Sequence, residues 1–197
     1  MRIVFMGTPD FAKNSLQALI NSGENVVAVY TQPDRPKGRG KNISYSPVKQ
    51  LALDYEIPIF QPRSLRDSHV YSELQKLAPD LIVVVAFGQI LPTAILDLPA
   101  YGCINVHASL LPKYRGAAPI HWAVINGETV TGITIMYMSE SLDAGDIILQ
   151  EQMNITPIDT TGVIHDKLAV LGGKLLLQTI KLIKQQGSCP RTKQNDA

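Results

Sequence analysis

The sequence predicts an α/β fold built on a mostly parallel sheet with helices on both faces, and three observations support this. Short apolar runs typical of strands alternate along the chain with segments that carry the apolar spacing of amphipathic helices. The strand-type runs are apolar at nearly every position, which is typical of parallel strands covered on both faces. At 197 residues, the chain is long enough to bury one substantial core.

Five strand-type runs come first and two more follow after residue 130. The predicted strands are residues 2–7, 25–30, 58–60, 81–87, 102–107, 131–138 and 146–155. Helical spacing marks residues 9–22, 47–55 and 66–77, and a long amphipathic helix presents Ile164, Leu168, Leu171 and Leu175 on one face. Right-handed βαβ connections between such elements give a Rossmann-like sheet, with ligands bound outside the carboxyl ends of the strands.

Two adjacent glycines, Gly172 and Gly173, interrupt the last predicted helix. Each costs about 1 kcal/mol relative to alanine in a helix. We therefore expect either close packing or a local break at this point.

Composition and charge narrow the functional classes. Apolar residues make up 45% of the chain and charged residues 18%, and the formal net charge of +1 does not indicate a polyanion partner. The apolar run at 81–87 is too short to span a bilayer, and the start of the chain lacks the pattern of a signal peptide. Two distant cysteines and four histidines show no metal-ligand spacing. We expect a cytoplasmic protein without a metal.

Two glycine-containing segments could suggest phosphate binding, but neither fits. In "GTPD" (7–10), Pro9 occupies the place of the second glycine of a dinucleotide fingerprint. Helix capping is the better interpretation, with Thr8 as N-cap and Pro9 at the first helical position. The segment "GRGK" (38–41) has neither the first glycine nor the Ser/Thr of a phosphate loop.

The connection at 31–47 is long, has no strand or helix period, and is basic. Its cations occupy alternate positions, against a single acid at Asp34; they are Arg35, Lys37, Arg39 and Lys41. It is either a solvated flexible loop or a cationic arm that lies along a phosphate backbone.

Asn105 and His107 lie two positions apart at the end of a predicted buried strand, so their side chains project to the same side. A buried polar pair would explain them, but the later loop "SESLDAGD" (139–146) adds Asp143 and Asp146 between two strands. An amide and a charged imidazole can stabilise an oxyanion while a carboxylate orients the ring. Spacing alone does not choose between the two aspartates.

Asn105, His107 and Asp143, with "SLLP" at 109–112 between them, resemble the formyltransferases that use 10-formyltetrahydrofolate. The resemblance implies the formyltransferase fold, with Asn105 and His107 polarising the formyl oxygen and Asp143 paired with His107. It also implies a folate pocket lined by Phe87, Gly88, Gln89, Ile90, Leu91, Ser109, Leu110, Leu111 and Pro112. Direct attack by the acceptor amine is expected; a covalent intermediate on Cys103 is disfavoured because nothing places a base beside it.

Four segments resemble the family members that act on initiator methionyl-tRNA: "GTPDFA" (7–12), "TQPDRPKGRGK" (31–41), "SPVK" (46–49) and "INVHASLLPKYRGAAPI" (104–120). The resemblance implies that Arg35, Lys37, Arg39 and Lys41 meet the tRNA. We expect a monomer. Residues 1–187 would form the catalytic domain, and 188–197 would begin a linker to the C-terminal β-barrel domain that such members carry. Two alternatives stay open: a formyltransferase for a small amine (an amino sugar or glycinamide ribonucleotide), and a non-catalytic folate- or nucleic-acid-binding module.

Overall fold

The computed structural model describes residues 1–37 and 42–195, without the side chains of residues 36, 37, 42 and 43. The strands are β1 (Arg2–Gly7), β2 (Asn25–Tyr30), β3 (Arg35–Lys37), β4 (Asn42–Ser44), β5 (Ile59–Phe60), β6 (Leu81–Val85), β7 (Cys103–His107), β8 (Val130–Tyr137) and β9 (Ile147–Asn154). The helices are α1 (Asp10–Asn21), α2 (Pro47–Asp54), α3 (Ser68–Leu77), α4 (Thr93–Leu96), α5 (Pro119–Ile125) and α6 (Thr161–Gln186).

A seven-stranded sheet organises the molecule, in the order β5-β2-β1-β6-β7-β8-β9. The strands from β5 to β7 pair in parallel, and β8 and β9 extend the sheet with antiparallel pairings. The chain builds the sheet outward from β1 on one side and then resumes with β6 on the other. Such a reversal opens a crevice at the carboxyl ends of the strands, where ligands bind in folds of this type.

The sheet is covered on both faces, as the fully apolar strands predict. Along β1, Ile3 and Phe5 pack in one core with α1, α2 and α6, whereas Val4 and Met6 pack in the other with α3 and α4. This alternation follows from the two-residue repeat of a strand. The Rossmann-like class predicted from the sequence is confirmed.

Helix α6 runs unbroken through Gly172 and Gly173, so close packing, and not a local break, explains the pair. A Cβ atom on Gly172 would lie 3.0 Å from the Val106 side chain of β7, and one on Gly173 would lie 3.1 Å from Ala18 of α1. The two glycines let α6 approach both the sheet and its neighbouring helix. Within the described residues, no helix is long and apolar enough to cross a membrane.

Three local predictions differ from the structure. Strand β6 ends at Val85 and not at residue 87, because Ala86 (φ 46°) and Gly88 (φ 83°) turn the chain. The N-cap of α1 is Pro9 and not Thr8, whose hydroxyl oxygen instead accepts a hydrogen bond from the Gln32 N–H at 3.3 Å. The connection at 31–47 contains a short antiparallel hairpin, β3–β4, that lacks any apolar alternation to predict it.

Candidate active site

The end of β7 places Asn105 and His107 on the same side of the strand, as predicted. Both side chains line a cavity of about 570 Å³ at the carboxyl ends of the strands. Four further regions contribute to its walls: the β1–α1 turn, the loop after β6, the segment that leads into α5, and the loop between β8 and β9; His165 of α6 also lines it. Residues from these regions that line the cavity are Pro9, Phe11, Ala86, Phe87, Gly88, Gln89, Ile90, Gly116, Ala117, Ala118, Pro119, Ile120, His121, Met138, Leu142 and Asp143.

The imidazole of His107 is buried, with 6% of the residue exposed, and one of its nitrogens is already engaged. Nε2 lies 2.9 Å from the backbone carbonyl oxygen of Tyr114. Because a carbonyl oxygen only accepts hydrogen bonds, Nε2 carries the proton of this contact. The other nitrogen, Nδ1, is therefore the atom of the ring that can exchange a proton with a ligand.

Asp143 faces that nitrogen and is itself held in place. Its Oδ2 lies 3.7 Å from His107 Nδ1 and accepts a hydrogen bond from the Gly116 backbone N–H at 2.8 Å. Its side chain is 11% exposed, so the attraction between a carboxylate and a protonated imidazole is only partly screened. The carboxylate stabilises a proton that arrives on Nδ1.

Asn105 completes the group. Its Nδ2 donates to Asp143 Oδ1 at 3.4 Å, which uses one of the two N–H bonds of the amide. The second N–H is available to a ligand oxygen in the cavity. The cavity is thus bordered by a neutral amide donor (Asn105), an imidazole that can carry a proton (His107) and a carboxyl group (Asp143).

The structure distinguishes the two aspartates that spacing could not. Asp143 lines the cavity, whereas Asp146 does not, and the backbone carbonyl of Asp146 accepts a hydrogen bond from the Tyr137 N–H at 2.9 Å. Between them, a Cβ atom on Gly145 would lie 1.8 Å from the carbonyl oxygen of Tyr137. Only glycine allows the loop to lie this close to β8, and this approach sets the position of Asp143.

The loop after β6 forms an apolar wall that polar contacts hold in place. The Phe87 carbonyl oxygen accepts hydrogen bonds from Gln32 Nε2 at 3.0 Å and from the Thr8 hydroxyl at 3.4 Å. Gln89 accepts from the Leu65 N–H and donates to the Pro62 carbonyl. The loop is therefore fixed on both sides before any ligand binds.

The formyl transferase family model matches residues 1–180 of this sequence. The chain belongs to the formyl transferase family. Two similar relatives are the methionyl-tRNA formyltransferases of Pelotomaculum thermopropionicum (61% identical over 194 residues) and Moorella thermoacetica (58% over 197 residues). The matches cover 98% and 100% of this chain but 62% and 63% of those proteins, so the chain spans about six tenths of their length.

Solved formyltransferases share the fold at low sequence identity. The phosphoribosylglycinamide formyltransferase of Anaplasma phagocytophilum superposes with a TM-score of 0.79 at 22% identity, covering 100% of this chain and 96% of that one. The sugar 3N-formyl transferase WlaRD superposes with a TM-score of 0.75 at 22% identity, covering 100% and 67%. The formyltransferase fold predicted from the sequence is confirmed.

The residues predicted to line a donor pocket divide into two groups. Phe87, Gly88, Gln89 and Ile90 line the cavity, and Leu91 lines an adjoining recess of about 130 Å³ that is also bordered by Leu142 and Asp143. The structure brings these five residues beside the three polar groups. The segment after β6 therefore forms part of the lining beside Asn105, His107 and Asp143.

The "SLLP" segment lies next to the cavity, and its part in binding the donor stays a prediction. None of its four residues, Ser109, Leu110, Leu111 and Pro112, lines the cavity or the adjoining recess. The Ser109 hydroxyl donates to the Lys113 carbonyl at 2.6 Å, and Thr134 donates to the Ser109 carbonyl at 2.7 Å. These contacts fix the turn that presents the Tyr114 carbonyl to His107. The segment supports the site from outside the cavity.

The basic connection is described only in part. Arg35 is exposed and pairs with Ser44 across the β3–β4 hairpin, and the backbone of Lys37 pairs with Asn42. Arg39 and Lys41 lie outside the described residues. The base of the hairpin is held by Lys49, which forms an ion pair with Asp34 and donates to Gln61 Oε1 at 2.9 Å. These contacts lower the pKa of Asp34, although burial opposes them as the largest single effect.

Cys103 does not face the cavity. Its thiol packs in the core on the α4 side of the sheet and donates to the Ile95 carbonyl at 3.5 Å. Burial, and secondarily the charge of Asp97, raises the pKa of this thiol to about 12. A thiol that stays protonated near neutral pH is a poor nucleophile.

Several cavity residues were not anticipated from the sequence. Phe11, His121 and His165 line the cavity, and the ring centroids of Phe11 and His165 lie 5.6 Å apart in an edge-to-face contact. They come from α1, α5 and α6, so only the fold brings them together. The contact of Gln194 with the Asp143 loop was also missed, because it joins residues 51 positions apart in a segment without periodicity.

Proposed function

We propose that this chain transfers the formyl group of 10-formyltetrahydrofolate to the amino group of methionine esterified to initiator tRNA. The observation that carries the proposal is the convergence of Asn105, His107 and Asp143 in one cavity of a formyl transferase. The acceptor is inferred from the relatives, which are named methionyl-tRNA formyltransferases and match nearly all of this chain.

In the proposed reaction, the methionine amino group attacks the formyl carbon and forms a C–N bond. The formyl C=O π electrons move to oxygen, giving a tetrahedral adduct with an oxyanion. When the oxyanion re-forms C=O, the bond from carbon to N10 of the folate breaks. The amine loses one proton and N10 gains one, so the reaction consumes no oxidant, reductant or metal.

Asn105 and His107 stabilise the oxyanion. The Asn105 amide keeps one N–H free of Asp143, and this N–H can donate to the oxygen as its charge grows. Both groups are fixed by the structure in advance, so little free energy is spent on arranging them during the reaction. Loss of one such donor typically lowers the rate about 10²–10³-fold.

His107 and Asp143 move the proton. With Nε2 protonated toward Tyr114, the neutral ring has its lone pair on Nδ1 and can accept the amine proton there, directly or through water. Asp143, 3.7 Å away, stabilises the resulting imidazolium. The Nδ1–H then donates to the oxyanion and passes the proton to N10 as the C–N10 bond breaks.

The cavity fits a donor with a flat, partly apolar ring system. Its volume lies within the range of small-molecule sites. Two large apolar side chains at its lining are mostly exposed, Ile90 at 70% and Leu142 at 69%. Covering them with a ring would stabilise the complex by about 25 cal/mol per Å² of apolar area buried.

The hairpin supports a nucleic-acid acceptor over a small one. Gln32, three residues before β3, donates to the carbonyl of Phe87 in the cavity wall. A hairpin that starts beside the cavity can bind the phosphate backbone of a nucleic acid whose aminoacylated end enters the cavity. The basic residues of the connection at 31–47 would neutralise phosphates and release counterions; they are Arg35, Lys37, Arg39 and Lys41.

Incubation with radiolabelled formyl donor and each of three acceptors tests the proposal: initiator methionyl-tRNA, glycinamide ribonucleotide and an amino sugar nucleotide. We expect label on the tRNA, in amounts that fall sharply in His107→Ala. Preferential labelling of a small acceptor would overturn the assignment of tRNA. The protein could instead bind the donor without transferring or hydrolysing its formyl group, with equal affinity in the parent and in His107→Ala. This result would show a binding module and overturn the enzymatic proposal.

A further inference from the structure

Both polar atoms of the Gln194 side-chain amide are hydrogen-bonded, and its nitrogen contacts the loop that carries Asp143. Its Nε2 donates to the Asp143 carbonyl at 2.9 Å and to the Gly145 carbonyl at 2.8 Å. Its Oε1 accepts from Arg115 Nε at 2.9 Å. The amide therefore joins the Asp143 loop to the segment that follows Tyr114, whose carbonyl holds His107.

The rest of this segment is also docked against the sheet. Thr192 and Ile147 exchange two backbone hydrogen bonds, at 2.8 and 2.9 Å. The Arg191 guanidinium lies 3.8 Å from the centre of the Tyr137 ring, and Cys189 is buried in the core. These three contacts fix the segment around Gln194, and this segment places the Gln194 side chain against the Asp143 loop.

The Asp143 loop needs such support because its backbone is strained. Asp143 has φ of 49°, a left-handed conformation that is unfavourable for a residue other than glycine. The carbonyl groups of Asp143 and Gly145 lie outside the β8–β9 ladder and take their hydrogen bonds from Gln194. Since the carboxylate of Asp143 must face His107, the conformation of this backbone decides where the acid lies.

We propose that Gln194 is a positioning residue for formyl transfer, which holds the Asp143 carboxylate opposite His107 Nδ1 without touching substrate. This inference rests on the proposed function, because it assigns Gln194 a task in that reaction. Misplacement of a catalytic group by about 1 Å can lower a rate about 10²-fold. Because Gln194 does not line the cavity, its loss should lower kcat and leave the KM for the folate donor nearly unchanged.

The variant Gln194→Met keeps the length of the side chain and removes the hydrogen bonds of its amide to Asp143, Gly145 and Arg115, together with a weak contact to Met136 Sδ. The matched control is Gln185→Met, the same substitution at an exposed position of α6. We expect Gln194→Met to lower kcat about 10- to 100-fold with less than about a threefold change in donor KM, and Gln185→Met to match the parent. A kcat for Gln194→Met equal to the parent value would overturn the inference.

A double-mutant cycle with Asp143→Ala separates positioning from general stability. If Gln194 acts through Asp143, the substitution Gln194→Met should have little further effect on kcat once Asp143→Ala is present. Equal fold-losses in both backgrounds would show a merely structural role and overturn the inference. If the parent protein transfers formyl groups and Asp143→Ala has the same kcat, Asp143 has no part in the reaction. The mechanism proposed above and this inference would then both be wrong.

Hydrogen exchange of the Gly116 amide tests the positioning without any turnover. This N–H donates to Asp143 Oδ2 at 2.8 Å, so it reports the location of the carboxylate. We expect faster exchange in Gln194→Met than in Gln185→Met. Unchanged exchange of the Gly116 amide would overturn the positioning role of Gln194, whichever acceptor the protein uses. If exchange is faster in Gln194→Met but the parent protein shows no formyl transfer, the positioning role stands and the proposed function is wrong.

Discussion

The Nε2 atom of His107 donates to the carbonyl oxygen of Tyr114, and this single contact determines which nitrogen of the ring faces the cavity. Tyr114 has φ of 59°, so its carbonyl is aimed at the ring by a left-handed turn. The Ser109 and Thr134 contacts behind that turn hold it in place. The tautomer of His107 thus depends on the backbone of the turn that precedes α5.

His107→Gln tests this assignment of the two nitrogens. A glutamine amide reaches the position of Nε2 and can still donate to the Tyr114 carbonyl, but it places no nitrogen at Nδ1. We expect the free energy of unfolding to stay within about 1 kcal/mol of the parent value, and kcat to fall about 10²–10³-fold. Substantial activity in His107→Gln would show that Nε2 is the working atom.

Gly145→Ala tests the close approach of the Asp143 loop to β8. A Cβ atom would meet the Tyr137 carbonyl oxygen at 1.8 Å, and backbone cannot yield as a side chain can. We expect the variant to lose at least about 2 kcal/mol of unfolding free energy together with most of its activity. The control is Gly162→Ala in α6, where the nearest atom is 3.8 Å away. If Gly145→Ala has the melting temperature and kcat of the parent protein, the close approach at Gly145 does not determine the position of the Asp143 loop.

Cys103 provides a test of the direct-attack mechanism. Because the thiol is buried and its pKa is raised to about 12, Cys103→Ser should keep kcat within a few-fold of the parent, and iodoacetamide should react slowly in the folded protein. Abolished transfer in Cys103→Ser, with an unchanged melting temperature, would require a covalent step.

The same thiol predicts a pH dependence of stability. Its pKa is about 12 in the folded protein, against 9.0 for an unperturbed thiol such as that of the unfolded chain, so the folded state retains the proton that the unfolded state loses. The unfolding free energy should therefore be unaffected by this group below pH 9 and decrease as pH rises from 9 toward 12. In Cys103→Ala, the slope over that range should be shallower by about 1.4 kcal/mol per pH unit. Identical slopes would show that the thiol is not desolvated.

The basic connection at 31–47 should contribute salt-dependent affinity for tRNA. The test replaces its four cations with alanine: Arg35, Lys37, Arg39 and Lys41. Each lost phosphate contact should reduce the slope of log affinity against log salt by about 0.9 for a duplex. Replacing Lys76 and Lys181, two exposed cations on α3 and α6, serves as the control and should leave the slope unchanged. If the four-alanine variant has the same salt slope as the parent protein, these four residues do not contact tRNA phosphates.

Much of the fold could be predicted because its pattern is local. Strands β1 and β2 begin and end at the predicted residues, since continuous apolar runs are flanked there by turn residues. The β3–β4 hairpin and the short helices α4 and α5 could not be predicted, because they have too few residues to show a period.

The candidate site was predictable where it depends on one strand and its neighbouring loop. Asn105 and His107 share a face because they are two residues apart, whereas the choice of Asp143 over Asp146 required the β8–β9 connection in three dimensions. Phe11, His165 and Gln194 come from distant parts of the chain and carry no local signal. The hydrogen bonds that hold the "SLLP" turn, from Ser109 to Lys113 and from Thr134 to Ser109, also join segments whose pairing no local pattern indicates.

The most direct test of the central claim is the kcat of Asn105→Ala with saturating formyl donor and methionyl-tRNA. Its amide donates to Asp143 with one N–H and has the second available to the formyl oxygen. We predict a kcat about 10²–10³-fold below that of the parent, with an unchanged melting temperature. A correctly folded Asn105→Ala with nearly parental kcat would contradict this mechanism, because the amide would then have no part in stabilising the oxyanion.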